Sequence, residues 1–117
     1  MYVYIMGAHN LRGDLKAVKI GVTDNIEQRI AHLQTAQILE IKLAAAWHTK
    51  SRKQAFFVER EMHLRYEKAC MRSEWFRPHI MRSAIYRLSE MLRKRPFALD
   101  GASCAEYVQA AKAKKAA

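Results

Sequence analysis

Cysteine is scarce in this chain, and what there is excludes the chemistry cysteine usually carries. Only Cys70 and Cys104 occur, and their separation fits neither a zinc ribbon nor a redox pair, so both are read as ordinary thiols. No apolar run approaches membrane-spanning length, and the opening residues lack a leader pattern, so no membrane contact and a reducing, cytoplasmic setting are expected. No internal repeat is present. Acidic residues are also short: 11 Asp and Glu stand against 21 Lys and Arg, for a formal net charge of +10.

What remains is enough for a folded domain. The 117 residues are half hydrophobic, which removes the disordered class and allows a core without disulfide or metal staples. The excess charge is concentrated. Residues 50–95 hold thirteen basic and five acidic groups, so +8 of the total lies in that stretch. Such a footprint points to a polyanion, nucleic acid first, over an evenly solvated surface or an anionic membrane.

Tyr2–Met6 alternates as a strand, with Tyr2, Tyr4 and Met6 on one face and Val3 and Ile5 on the other. A polar loop over 7–16 leads to a second strand, Ala17–Val22. Thr23 or Asp24 is placed as a helix cap, Asp24 with Glu27 having the capping-box spacing, and Ile26, Ile30 and Leu33 form the helix's apolar stripe. Ile38–Trp47 reads as a third strand. Ser51 with Gln54 opens a helix to about Lys68 that buries Ala55, Val58, Met62 and Tyr66. Residues 72–78 read as a connector, and Ile80–Arg93 as a last helix. The expected fold is thus α/β, with a small three-stranded, mainly antiparallel sheet flanked by helices. Residues 1–95 form the domain, including the C-terminal helix. Residues 96–117 form a basic, alanine-rich tail, helical or in part disordered.

Several polar residues stand out against this frame. Glu59 and His63 are four apart on one helical face, where their side chains can meet. Two protein ligands leave a metal site incomplete, but they suit Mg²⁺ if phosphate and water oxygens supply the rest. Arg29 offers a rigid fork of donors for a phosphate, or else only a snorkelling surface stem; His32 lies three residues beyond it. Tyr4 can orient a water, or act as a base if nearby cations lower its pKa, and Lys19 can hold a phosphate. Taken singly, each also reads as a packing or edge-strand residue.

Together these segments resemble a known superfamily. Tyr2-Val-Tyr-Ile, Val18-Lys-Ile-Gly-Val-Thr23, Asn25-Ile-Glu-Gln-Arg-Ile30, Ala55-Phe-Phe-Val-Glu59, His63 and Ser73-Glu-Trp-Phe76 resemble the GIY-YIG nucleases, and within them the T5orf172 (Mug113-like) branch of phage and bacterial proteins. The resemblance covers about residues 2–78. It implies a Mg²⁺- or Mn²⁺-dependent DNA endonuclease with Tyr4, Lys19, Arg29 and Glu59 as catalytic residues and Glu59 as the metal ligand. Support is implied for His32, His63 and Glu74. Lys19 stands where the second motif's tyrosine is usual, and Leu33 where a polar helical residue is usual. Those two departures motivate the alternative, a non-catalytic nucleic-acid-binding module on the same fold. DNA is the expected partner, its backbone held by Arg60, Arg72, Arg77, Arg82 and Arg87. Arg77, Arg82, Arg87 and Arg93 are spaced five, five and six, which drifts around a helix instead of forming one stripe. Weak intrinsic sequence specificity is expected, or reliance on a partner for targeting, the further partner being a targeting protein or a second copy of the chain.

Overall fold

Alternating residues at the start of the chain set up the scaffold. In the computed structural model, which describes residues 1–97, strand β1 (Tyr2–His9) pairs antiparallel with β2 (Leu15–Thr23). Both run further than the hydrophobic alternation suggests, because Gly7 and Ala8 continue the ladder. The turn between them is tied by Asn10, whose Oδ1 accepts hydrogen bonds from the Arg12 and Asp14 amides at 3.0 and 2.9 Å. Gly13 supplies the positive φ of +86° that the turn requires.

Helix α1 (Ile26–Thr35) follows, and strand β3 (Glu40–His48) pairs antiparallel with the other side of β1. The cap of α1 is Asn25, one residue past the expected pair. Its Oδ1 accepts from the Gln28 amide at 3.0 Å, while Thr23 Oγ1 supports Asn25 from behind. Helix α2 (Arg52–Arg65) is capped as expected, Ser51 Oγ accepting from the Gln54 amide at 3.1 Å. It stops at Arg65, short of Lys68, and a 3-10 turn follows over Glu67–Ala69. Helix α3 (Met81–Leu92) begins after a second 3-10 turn over Pro78–Ile80.

The expected three-stranded sheet is incorrect. The stretch read as a connector contains β4 (Cys70–Arg72) and β5 (Trp75–Phe76), which complete a five-stranded antiparallel sheet of order β3-β1-β2-β5-β4. Strands of three and two residues are too short to show a period. All of β4 is also solvent-exposed, so it carries no hydrophobic pattern. What fixes this hairpin is one anchor, Phe76, fully buried in the main core, and a left-handed Ser73 at φ 54° in its turn.

The sheet divides the core into two layers, as the first strand's alternation requires. Val3, Ile5, Val18 and Ile20 face α2 and α3, meeting Val58, Met62, Ala84 and Leu88. Tyr4, Met6 and Ala17 face the other way, toward Ile26, Ile30 and Leu33 of α1. Burying side chains of this size is worth about 1.5–3 kcal/mol each, which is what holds the helices on. Beyond α3, the Phe97 amide donates to Ala46 O at 2.9 Å, so the chain returns to the outer edge of β3. Most of the expected tail, residues 98–117, lies outside the described residues.

Candidate functional site

The shortness of β5 creates the site. It pairs with β2 only at Val18 and Lys19, so the outward backbone groups of β2 beyond them have no strand partner. Two side chains of α2 take that place. His63 Nε2 lies 2.9 Å from Ile20 O, which makes this nitrogen the donor, and the His63 ring packs edge-on against Phe76. One turn earlier, Glu59 receives a hydrogen bond from the Val22 amide. An open sheet edge thus brings α2, which covers one face, to residues that belong to the opposite face.

On that opposite face Tyr4 stands across the ladder from Gly21. The pairing is steric. A Cβ on residue 21 would fall 2.5 Å from the Tyr4 hydroxyl oxygen and 2.7 Å from its ring carbon Cζ, so the phenol lies directly over the glycine. Tyr4 is only 1% exposed. Its hydroxyl accepts a hydrogen bond from Arg29 Nε of α1 at 3.3 Å, which leaves the phenolic proton and the rest of the guanidinium fork for other partners. Burial pushes the Tyr4 phenol above its ordinary value of 10.0; Arg29 opposes the rise, and Glu74 and Glu59 add to it. Nearby cations therefore do not lower this pKa on balance. A neutral phenol suits orienting a water, and the general-base role is disfavoured.

Lys19 is buried and pairs across the strands with Trp75. Its ammonium donates to Glu74 Oε2 at 2.6 Å and lies 5.3 Å from the centre of the Trp75 ring. The lysine is thus held by a partner 55 residues away and by a cation–π contact at once. Sequence reasoning misses both contacts, although Glu74-Trp75-Phe76 stands out as a motif. Position along the chain gives no hint that Glu74 and Trp75 bracket Lys19.

Glu59 joins the same neighbourhood. Burial raises its carboxyl above the ordinary 4.5, and the charge of Glu74 raises it further; His63, Lys19 and the Val22 amide oppose the shift. Glu74, although paired with Lys19, still disfavours ionisation of the Glu59 carboxyl. Among the described residues no group of three or more His, Cys, Asp and Glu is placed to hold a metal ion. His63 Nε2 is already committed to a carbonyl. The oxygen donors here are carboxylates, a donor type that suits hard cations over soft ones.

Tyr4, Lys19, Arg29, Glu59, Glu74 and His63 therefore converge. The remaining positions do not. His32 lies on the exposed side of α1, and its backbone carbonyl accepts from Thr35 Oγ1 at 2.7 Å. Leu33 is half-buried against the Tyr4 layer of the core. Arg60, Arg72, Arg77 and Arg82 are exposed. Arg87 is half-buried and lines a cleft with Glu61, Leu64, Arg65 and Met91, its Nε without a hydrogen-bond partner among the described residues.

Compared with known proteins, residues 1–94 match the family model described as the T5orf172 domain. No curated protein and no solved structure matches the chain. Among the described residues no helix is long and apolar enough to cross a membrane.

Proposed function

The chain belongs to the T5orf172 domain family, and from that premise we propose that it is a divalent-metal-dependent endonuclease of the GIY-YIG type that hydrolyses DNA phosphodiester bonds. The observation that carries this reading is that Tyr4 of β1 accepts a hydrogen bond from Arg29 of α1 and lies within electrostatic reach of Glu59 of α2, so that a strand and two helices contribute to one site.

Each residue has a part that follows from its surroundings. Arg29 commits Nε to Tyr4 and turns its remaining donors to a phosphate oxygen, where negative charge grows as water adds to phosphorus. Tyr4, kept neutral by burial, keeps its proton and hydrogen-bonds through its hydroxyl to the attacking water or a phosphate oxygen, which fixes the line of approach. Glu59 would hold the cation. When bound there, a divalent ion supplies charge neutralisation at the phosphate and a more acidic water. Lys19 acts through Glu74, holding that carboxylate at the rim of the site, and is a positioning residue. One water is consumed: its oxygen bonds to phosphorus, the bond from phosphorus to the 3′ oxygen breaks, and the proton the water loses ends on that 3′ oxygen. The products are a 5′-phosphate and a 3′-hydroxyl.

The test is cleavage of supercoiled and linear DNA by the purified chain with Mg²⁺ or Mn²⁺, against chelator and against Glu59→Gln. Metal-dependent nicking that Glu59→Gln abolishes without loss of fold is the expected result. Cleavage that persists in chelator, or full activity in Glu59→Gln, would overturn the reading. A second reading, DNA binding without turnover, draws on two observations: Lys19 is locked in its pair with Glu74, and Leu33 belongs to the core. Salt-sensitive binding with no cleavage under any metal would favour it.

A further inference from the structure

Helix α2 buries Ala55, Val58 and Met62 and turns another face outward. Phe56 lies on that face with 46% of its surface exposed, accessible to a partner. Its neighbours say what kind of partner that is. Residues three and four apart share a helical face, so Arg52, Phe56 and Arg60 form one exposed stripe, and Glu59 and His63 lie beside it. The Arg52 guanidinium carbon sits over the Phe56 ring, 6.0 Å from its centre. A cation therefore flanks the ring, and nearly half of the residue remains exposed. Phe56 precedes Glu59 by three residues, a rise of about 4.5 Å along the helix axis, which is within a nucleotide's reach of the carboxylate.

We propose that Phe56 is a stacking platform for an unpaired base of the substrate strand, seated next to the phosphate that Arg29 and Glu59 engage, with Arg52 and Arg60 on the flanking phosphates. This inference rests on the nuclease reading and names its substrate class: DNA that is single-stranded, or locally unpaired, beside the scissile bond. An aromatic ring between cations is the arrangement that binds single strands without regard to sequence, because every base presents a π-face. A duplex keeps its bases stacked on each other and offers none to the ring. Phe57 supplies the internal comparison: it is also exposed, at 60%, but it points about 100° around the helix from Phe56, away from Glu59.

The experiment is fluorescence anisotropy of a labelled oligothymidylate and of a duplex hairpin, measured in chelator so that no cleavage intervenes. Phe56→Leu is expected to weaken single-strand binding about 5- to 100-fold and duplex binding much less. Phe56→Trp should retain affinity and show indole quenching on binding the single strand, and Phe57→Leu should match the wild type. Equal single-strand affinity in Phe56→Leu and wild type would overturn the proposal, as would an equal weakening in Phe57→Leu. So would loss of a dimer in Phe56→Leu with DNA binding intact. Mg²⁺-dependent cleavage by the wild type is measured in parallel. Its absence alongside a Phe56-dependent single-strand preference would sink the nuclease reading and leave the stacking site standing. Cleavage indifferent to Phe56→Leu, with binding also unchanged, would do the reverse.

Discussion

Lys19 and Glu74 are joined at 2.6 Å, although the lysine is in the second strand and the glutamate in a turn two helices later. The lysine side chain is 6% exposed and the glutamate 39%, so the pair spans the boundary between core and solvent. Removing the outer partner strands the inner one. Glu74→Ala should destabilise the fold by about 1–2 kcal/mol, below the penalty for a fully buried pair because water reaches Glu74. The Lys42–Glu40 contact, longer at 3.9 Å and with Glu40 well exposed, is the comparison; Glu40→Ala should change stability by less than about 0.5 kcal/mol. Urea unfolding of both variants checks the contrast, and equal destabilisation would contradict it.

Gly21 and Tyr4 are coupled by contact, and the coupling is measurable. Gly21→Ala places a methyl against the phenol, and the buried ring has little freedom to move aside. The expected destabilisation is about 1–3 kcal/mol from overpacking, with a larger fall in cleavage because the Arg29 hydrogen bond is displaced. Tyr4→Leu removes the obstruction, so the double variant Gly21→Ala/Tyr4→Leu should be more stable than the sum of the single effects allows. Strict additivity in a thermal-unfolding cycle would show that the two residues do not clash.

These two relationships also show where sequence reasoning reaches and where it stops. The alternation of Tyr2–Met6 and the stripe of Ile26, Ile30 and Leu33 assign both core layers, because a residue's face follows directly from its period. The Ser51 cap is legible for the same local reason. The hairpin of β4 and β5 is not, since two buried or half-buried residues, Trp75 and Phe76, make no period. With the hairpin hidden, the open edge of β2 is hidden too, and helical spacing pairs His63 with Glu59 while its ring nitrogen bonds Ile20 O. Tyr4, Arg29 and Glu59 can be picked out as residue types in motifs. Their convergence depends on a strand only two residues long.

The exposed arginines lead to a salt-dependence test. Arg77 and Arg82 are solvent-facing, and removing one phosphate-neutralising cation should reduce the slope of log affinity against log salt by about 1. Arg82→Gln should therefore weaken duplex binding at low salt, uniformly across sequences, with the gap closing as salt rises. Binding titrations over several salt concentrations check it. A sequence-dependent weakening would instead assign Arg82 to base readout.

Glu59 links the site to stability through pH. Its folded-state pKa is raised above the ordinary 4.5, by burial first and by Glu74 second. The folded protein then holds this proton at pH values where the unfolded chain has released it. Stability contributed by the neutral carboxyl is full below the ordinary value and is lost as pH rises through the folded one. Glutamine keeps the neutral form at every pH. In chelator, Glu59→Gln should therefore melt at a higher temperature than the wild type at neutral pH, with the difference shrinking as pH falls toward 4.5. Added Mg²⁺ should raise the wild-type melting temperature and leave Glu59→Gln unmoved, since only the carboxylate can bind the ion and relieve its own charge. Thermal scans across pH, with and without the metal, separate the two effects. A Glu59→Gln variant less stable than the wild type at neutral pH in chelator would mean that the carboxylate stabilises this fold instead of straining it.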